Sequence, residues 1–214
     1  MMCGCRSLRK CGKMIKRKKI KEWCVFGEDR AYVLMAIARR KHNESLSNSD
    51  EIVYRRVLTD EEDISKNYYD LKGLINSHSG LTFRLYLSVN ARDVMDAYFN
   101  FKSDMETWTK HIYHGDDGSK KNVKRLGSKW KSALHSPSVK DDSYFQFDLD
   151  EVTEEELRVF KDSLVQQTNI EFVRKTPNGY HVISEPFDYT DWESPVEYDE
   201  LDTDGQLFIE EIET

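Results

Sequence analysis

The sequence predicts a mixed fold of the α/β (α+β) class: a helix-rich module with its own strands over residues 23–140, then a sheet-based unit over residues 141–214. Three observations predict it. Phe83–Val89 (FRLYLSV) and Tyr144–Asp150 (YFQFDLD) alternate apolar and polar residues with period two, as half-buried strands do. Val94–His111 carries apolar residues at helical spacing, the strongest such signal in the chain. The last third then runs strand, capped helix and hairpin, which brings strands and helices into one unit.

The elements follow in order. Residues 1–22 read as a basic leader, expected to be flexible, and Met14 is a possible alternative start. Glu28–Lys41 is expected to be a helix, with Ala31, Leu34, Met35 and Ala38 on one face. His42–Asp50 is a polar loop and Ile52–Leu58 a strand. Thr59 or Asp60 caps a helix with Ile64, Tyr68, Leu71 and Ile75 at helical spacing. After the strand at 83–89, Asn90–Asp93 turns into the long helix, whose stripe is Val94, Tyr98, Phe101, Met105, Trp108 and Ile112. Gly115–Gly118 is a loop. The basic segment from Lys120 to Lys140 has Trp130 in its middle, expected to pack the segment on the core rather than stack on a base. Beyond Tyr144–Asp150, Thr153 and Glu156 form a capping box before Leu157, Phe160 and Leu164. Ile170–Arg174 is a strand, Pro177-Asn178-Gly179 a turn and Tyr180–Ser184 the returning strand. One more strand is expected at Gln206–Ile209.

Charge is segregated along the chain. The net charge is −7, which argues against a uniformly basic nucleic-acid binder. Two stretches are nevertheless basic: Arg6–Lys21, and the cluster of Lys120, Lys121, Lys124, Arg125, Lys129 and Lys131. From Glu185 onward there is no Lys or Arg. The second cluster, with Trp130, is the candidate nucleic-acid-binding surface; the competing reading is a solvated face. Cys3, Cys5, Cys11 and Cys24 all lie near the N-terminus, and Cys3 and Cys5 are one residue apart instead of the two to four usual for zinc, so reduced thiols are expected. No apolar run is long enough to span a bilayer and no signal-peptide pattern follows the basic start, so no membrane association and a cytoplasmic location are expected.

The residues richest in chemistry lie at the end of YFQFDLD. Strand alternation puts Asp148 and Asp150 on one face, where the two carboxylates raise each other's pKa unless a cation neutralises them. Mg²⁺ and Mn²⁺ favour such hard oxygen ligands. His181 follows the hairpin turn on a neighbouring strand.

This stretch resembles the archaeo-eukaryotic primase superfamily, the primase-polymerases, in the manner of a small viral, plasmid or archaeal member. The resemblance rests on Phe147-Asp148-Leu149-Asp150, on Gly179-Tyr180-His181 inside TPNGYHVI, and on an Asp before a short apolar strand, for which Asp204 in LDTDGQLFI is the choice over Asp202 and Asp199. It covers about the last third of the chain, and RLYLSVNARD is similar to a strand and turn found upstream of the catalytic strand in some phage and archaeal primase-like proteins. What it implies is an RRM-like catalytic sheet. It also implies Asp148, Asp150 and Asp204 as catalytic metal ligands for Mg²⁺ or Mn²⁺. His181 would contact the incoming nucleotide's phosphates, with Gly179 and Tyr180 beside it and Arg174 and Lys175 as further nucleotide-binding candidates. The implied function is a DNA primase or polymerase joining NTPs or dNTPs on a single-stranded DNA template. A helicase or other replication protein would be the partner, in the host's cytoplasm if the gene is viral or plasmid-borne. Two alternatives stand beside it: a non-catalytic nucleic-acid-binding accessory protein with a primase-like fold, and a metal-dependent nuclease.

Overall fold

A computed structural model describes residues 20, 21, 23–47 and 51–214, so Cys3, Cys5, Cys11 and most of the basic leader lie outside the described residues. The first half comprises β1 (Arg30–Arg39), β2 (Glu51–Leu58), α1 (Glu61–Ile75), β3 (Thr82–Ser88), β4 (Arg92–Asp93), α2 (Val94–Tyr113), α3 (Asp117–Lys124) and α4 (Leu126–Leu134). The second comprises β5 (Phe145–Asp150), α5 (Glu154–Leu164), β6 (Ile170–Lys175), β7 (Gly179–Ser184), β8 (Glu200–Asp202) and β9 (Gln206–Glu213). The chain is thus mixed α/β with antiparallel sheets. One sheet has the order β2-β1-β3-β9, with β4 added to β1; the other has the order β6-β7-β5-β8.

The helix expected at Glu28–Lys41 is a strand, β1, and this is the main correction to the sequence reading. Ala31, Leu34, Met35 and Ala38 do fall at helical spacing. The apolar run from Ala31 to Ala38 is nevertheless continuous and of strand length, because β1 lies inside its sheet and is covered on both faces. Leu34 and Ala36 pack with Ile64, Tyr68, Leu71 and Ile75 of α1. Val33, Met35 and Ile37 pack on the other side with Ala97, Leu134 and Val139.

Asp60 caps α1 by accepting a hydrogen bond from Asp63 N, as its side-chain chemistry dictates. In α2 the buried positions are Ala97, Phe101 and Trp108, while Tyr98 of the expected stripe is exposed. Ala97 packs with β1 and Leu134, and Trp130 lies against Phe101 at 5.5 Å between ring centroids, so the covered side of α2 is set by these neighbours. The expected Gly115–Gly118 loop is shorter than predicted: Asp116 accepts from Gly118 N and Ser119 N and starts α3 there.

In the second sheet, Phe147, Leu149 and Val182 face Phe160 and Leu164 of α5, and Trp192 and Tyr198 from the loop before β8 close this core. The predicted capping box is present, with Thr153 and Glu156 bonded reciprocally. The opposite face of this sheet turns toward the first. The 141–214 unit does not close on itself, because β9 leaves it and pairs with β3. Among the described residues no helix is long and apolar enough to cross a membrane.

Before β9 the chain is pinned by a buried ion pair. Arg92, fully buried, donates from Nη1 to Asp204 Oδ2 at 3.0 Å and holds Oδ1 with Nη2 at 2.8 Å. Removing one partner strands a buried charge, whereas an apolar pair of similar volume does not. Asp204→Ala is therefore expected to cost about 3–5 kcal/mol in urea unfolding, and Arg92→Met/Asp204→Leu far less. Equal stability of Asp204→Ala and the wild type would remove the pair from the folding argument.

Candidate functional site

The site is built by register. On β5, Gln146, Asp148 and Asp150 share the face opposite Phe147 and Leu149. Asp148 lies directly across from His181 of β7 on one side and from Glu200 of β8 on the other. His181 is in turn across from Arg174 of β6. One row over the four strands therefore reads Glu200, Asp148, His181, Arg174. Asp150 pairs with Gly179.

Gly179 is required here by contact, not by its dihedral angles. A Cβ on it would come within 1.8 Å of Leu149 O and 2.9 Å of Asp150 Cα. The bare backbone lets the hairpin lie against the end of β5. The turn is held by Thr176, whose Oγ1 accepts from Gly179 N at 2.9 Å, and by Glu151 N, which donates to Asn178 O at 2.9 Å. Glu151 itself is left-handed, with φ of 57°, the one such non-glycine among the described residues. Gly179→Ala is expected to cost about 3 kcal/mol or more, the severe end of overpacking, read as a drop in the thermal midpoint. A variant as stable as the wild type would show that the hairpin does not sit this close.

Asp148, Asp150, His181 and Glu200, with the Thr176–Asn178 turn, line a cleft of about 310 Å³ between the two sheets. Asp148, Asp150, Glu200 and Asp202 form one wall. Arg39, Lys41 and Arg84 of the first sheet and its adjoining turn form the other. Asp148 is the perturbed group. Burial, then the nearby charges of Asp150 and Asp199, raise its pKa to about 6, and its Oδ1 is buried with no hydrogen-bond partner. Asp199 braces the strand end: its N donates to Asp148 O, and its Oδ2 accepts from Asp150 N at 2.8 Å.

His181 is 6% exposed. Burial, then the charges of Arg174 and Arg84, lower its pKa to about 4, so the ring is neutral near pH 7. Its Nδ1 accepts from Phe208 N at 3.4 Å. That leaves the proton on Nε2, which faces Asp148 Oδ1 at 3.5 Å, beyond a normal hydrogen bond. The ring is therefore a neutral donor aimed at the carboxylate wall.

Not every residue singled out from sequence joins this cleft. Asp204 does not line it, since Arg92 takes both its oxygens. Asp202, its rival, and Glu200 do line it, while Asp199 acts from behind the strand end. Arg174 donates from Nε to Phe208 O at 3.1 Å and from Nη2 to Ile209 O, so it binds β9 instead of facing the cleft. Tyr180 lies on the α5 side, and Lys175 sits 5.8 Å over its ring. The basic cluster Lys120, Lys121, Lys124, Arg125, Lys129 and Lys131 falls on α3 and α4, and Trp130 within it is packed on Phe101. The sequence reading missed Glu200, Arg39, Lys41 and Arg84. Only Glu200, two residues before the Asp202 already considered, carried a local signal.

The donor set suits a hard divalent cation in one respect. Asp148 Oδ1 is a buried carboxylate oxygen without a partner, beside Asp150 and across from Glu200. Among the described residues, however, no three His, Cys, Asp or Glu side chains converge into a metal-holding group. Comparison of the chain with protein-family models, curated proteins and solved structures finds no match.

The shifted groups pull stability in opposite directions. Asp148 holds its proton more tightly when folded, so it costs stability as pH rises from about 4 to about 6. His181 and His135 hold theirs more weakly when folded and cost stability as pH falls from about 6.5 to about 4. Asp148→Asn removes the first effect only. In metal-free protein its stability should fall on acidification more steeply than that of the wild type, by up to about 1.4 kcal/mol per pH unit, less what partial exposure screens. Parallel curves in urea unfolding from pH 7 to pH 4.5 would show that Asp148 is not perturbed.

Proposed function

We propose that this chain is a nucleotidyltransferase of the primase-polymerase kind, joining NTPs or dNTPs on a DNA template in the cleft between its two sheets. The observation that carries the reading is the pairing of β5 with β7. It sets the Asp148-x-Asp150 pair and the neutral Nε2–H of His181 side by side on one cleft wall. The strand order supports it as well. An antiparallel β8-β5-β7-β6 sheet with α5 joining β5 to β6 is the order of an RRM-like, split β-α-β unit, here without a helix between the third and fourth strands.

In this reading Asp148 and Asp150 hold Mg²⁺ or Mn²⁺, and Glu200 takes the place that the resemblance gave to Asp204. The bound cation would neutralise charge on the attacking and leaving oxygens of an in-line displacement. His181 donates Nε2–H to a phosphate oxygen, and the hairpin turn at Thr176–Asn178 bounds the cleft. The exposed Lys120, Lys121 and Lys124 of α3 offer contacts to a nucleic-acid backbone.

One observation favours the second reading, a nucleic-acid-binding protein without turnover: the described carboxylates do not form a three-ligand metal group. Incorporation of labelled NTPs and dNTPs on single-stranded DNA with Mn²⁺ or Mg²⁺ separates the two. The expected outcome is metal-dependent product, lost by at least about a hundredfold in Asp148→Ala and Asp150→Ala, which remain folded. No product from the wild type, with DNA binding that survives EDTA and both substitutions, would establish the second reading instead.

A further inference from the structure

We propose that the outer edge of β6 is a docking surface for a second copy of this chain, which adds its own β6 antiparallel across a two-fold axis at Val173. Such pairing asks nothing of the chemistry in the cleft.

An edge strand presents unpaired backbone groups, and proteins normally blunt it. The other edges here are blunted. On β2, Arg55 O accepts from Arg56 Nη1 at 3.1 Å and Val57 O from Asn67 Nδ2 at 3.3 Å. On β9, Arg174 takes the carbonyls of Phe208 and Ile209, and Phe208 N donates to His181. β8 is only three residues long. β6 ends its sheet without such cover. Thr176 N donates to Gly179 O, so the alternation of an antiparallel ladder gives the bonds toward β7 to Arg174 and Phe172. The N–H and C=O of Val173 and Lys175 therefore point outward, and among the described residues no strand and no side chain meets them. A bulge between Ile170 and Phe172 keeps this open edge short.

Symmetry and charge select the occupant. A two-fold axis normal to the sheet sets each residue opposite one on the same face, so the register centres on a single residue. Centred on Val173, it sets Glu171 of each copy against Lys175 of the other. Both residues are exposed, and neither makes an ion pair among the described residues. Centred on Phe172 or on Arg174, it would set Glu171 against Val173 or Pro177 and lose both charge pairs. A groove of about 380 Å³ runs between α5 and this edge, lined in part by Val165, Ile170 and Val173. Val165 is 53% exposed, and an added strand would cover it. The shared edge is small, so the dimer is expected to be weak and to depend on concentration.

The test is sedimentation of the full chain from micromolar to near-millimolar concentration, with amide hydrogen exchange at both ends of that range. The wild type is expected to pass from monomer to dimer, and the amides of Val173 and Lys175 to exchange more slowly in the dimer. Glu171→Lys and Lys175→Glu each set like charges opposite one another twice across the axis. Each should weaken dimerisation by at least about tenfold. The double variant Glu171→Lys/Lys175→Glu restores opposite charges and should dimerise to within about threefold of the wild type. Both positions are exposed, so these variants report on pairing and not on folding. A monomer at every concentration, a dimer unaffected by the single reversals, a double variant no tighter than the singles, or unchanged exchange at Val173 and Lys175 would each overturn the paired edge.

Discussion

The grip of Arg174 on a bulge in β9 is the contact on which the rest of the arrangement depends. In the β3–β9 ladder Leu85 pairs with Glu210 and Tyr86 with Phe208, so Ile209 is the extra residue. Successive carbonyls of a regular strand point in opposite directions. A bulge breaks that alternation, and here the carbonyls of Phe208 and Ile209 both reach one guanidinium. Arg174 belongs to the second sheet and β9 to the first, so this bond ties the two together. The same Phe208 gives its N–H to His181 Nδ1. The contact that docks the sheets therefore also selects the tautomer of the buried histidine. Straightening β9 would undo both.

Electrostatics follow from that docking. Bringing the sheets together buries Asp148 and His181 face to face, and burial favours the neutral form of each. The histidine stays neutral near pH 7. The carboxylate is ionised there but poised, with one oxygen unpartnered. Such a pair is poor material for stability, because neither member gains a strong bond from the other at 3.5 Å. It is good material for a ligand that brings a cation to one and an acceptor to the other. The other buried pair, Arg92 and Asp204, is in direct contact at 2.8 Å and leaves neither charge without a partner.

The second half of the molecule was legible because its signals are local. The Thr153–Glu156 capping box, the turn after Lys175 and the alternation of YFQFDLD each lie within a few residues, and each fixes one element. Asp148, Asp150 and His181 were legible with them, since strand period and hairpin register place side chains without knowledge of the core. β1 was not. A strand buried on both faces loses its period-two signature, and its apolar run mimics a helix. Asp204 misled for a different reason. Its partner Arg92 is 112 residues away, and nothing near DTDG announces that its carboxylate is already taken. The basic wall was illegible in the same way: Arg39 and Lys41 lie together at the end of β1, but Arg84 is more than forty residues further on and meets them only through the sheet.

The capture of Asp204 bears on what the cleft can be. A site closed by three protein carboxylates would hold its cation firmly before any ligand arrived. Here the third acidic residue nearest in register, Glu200, sits on a three-residue edge strand, and the described side chains do not close around a single point. A site with two committed carboxylates leaves the remaining coordination to water and to the ligand's own oxygens. In the proposed nucleotidyltransferase reading, cation affinity would depend on the ligand, and ligand affinity on the cation. The opposed walls differ in how far the protein itself answers their charge: Arg39 pairs with Glu51 and Arg84 with Glu211, whereas Asp148 keeps one buried oxygen without a hydrogen-bond partner.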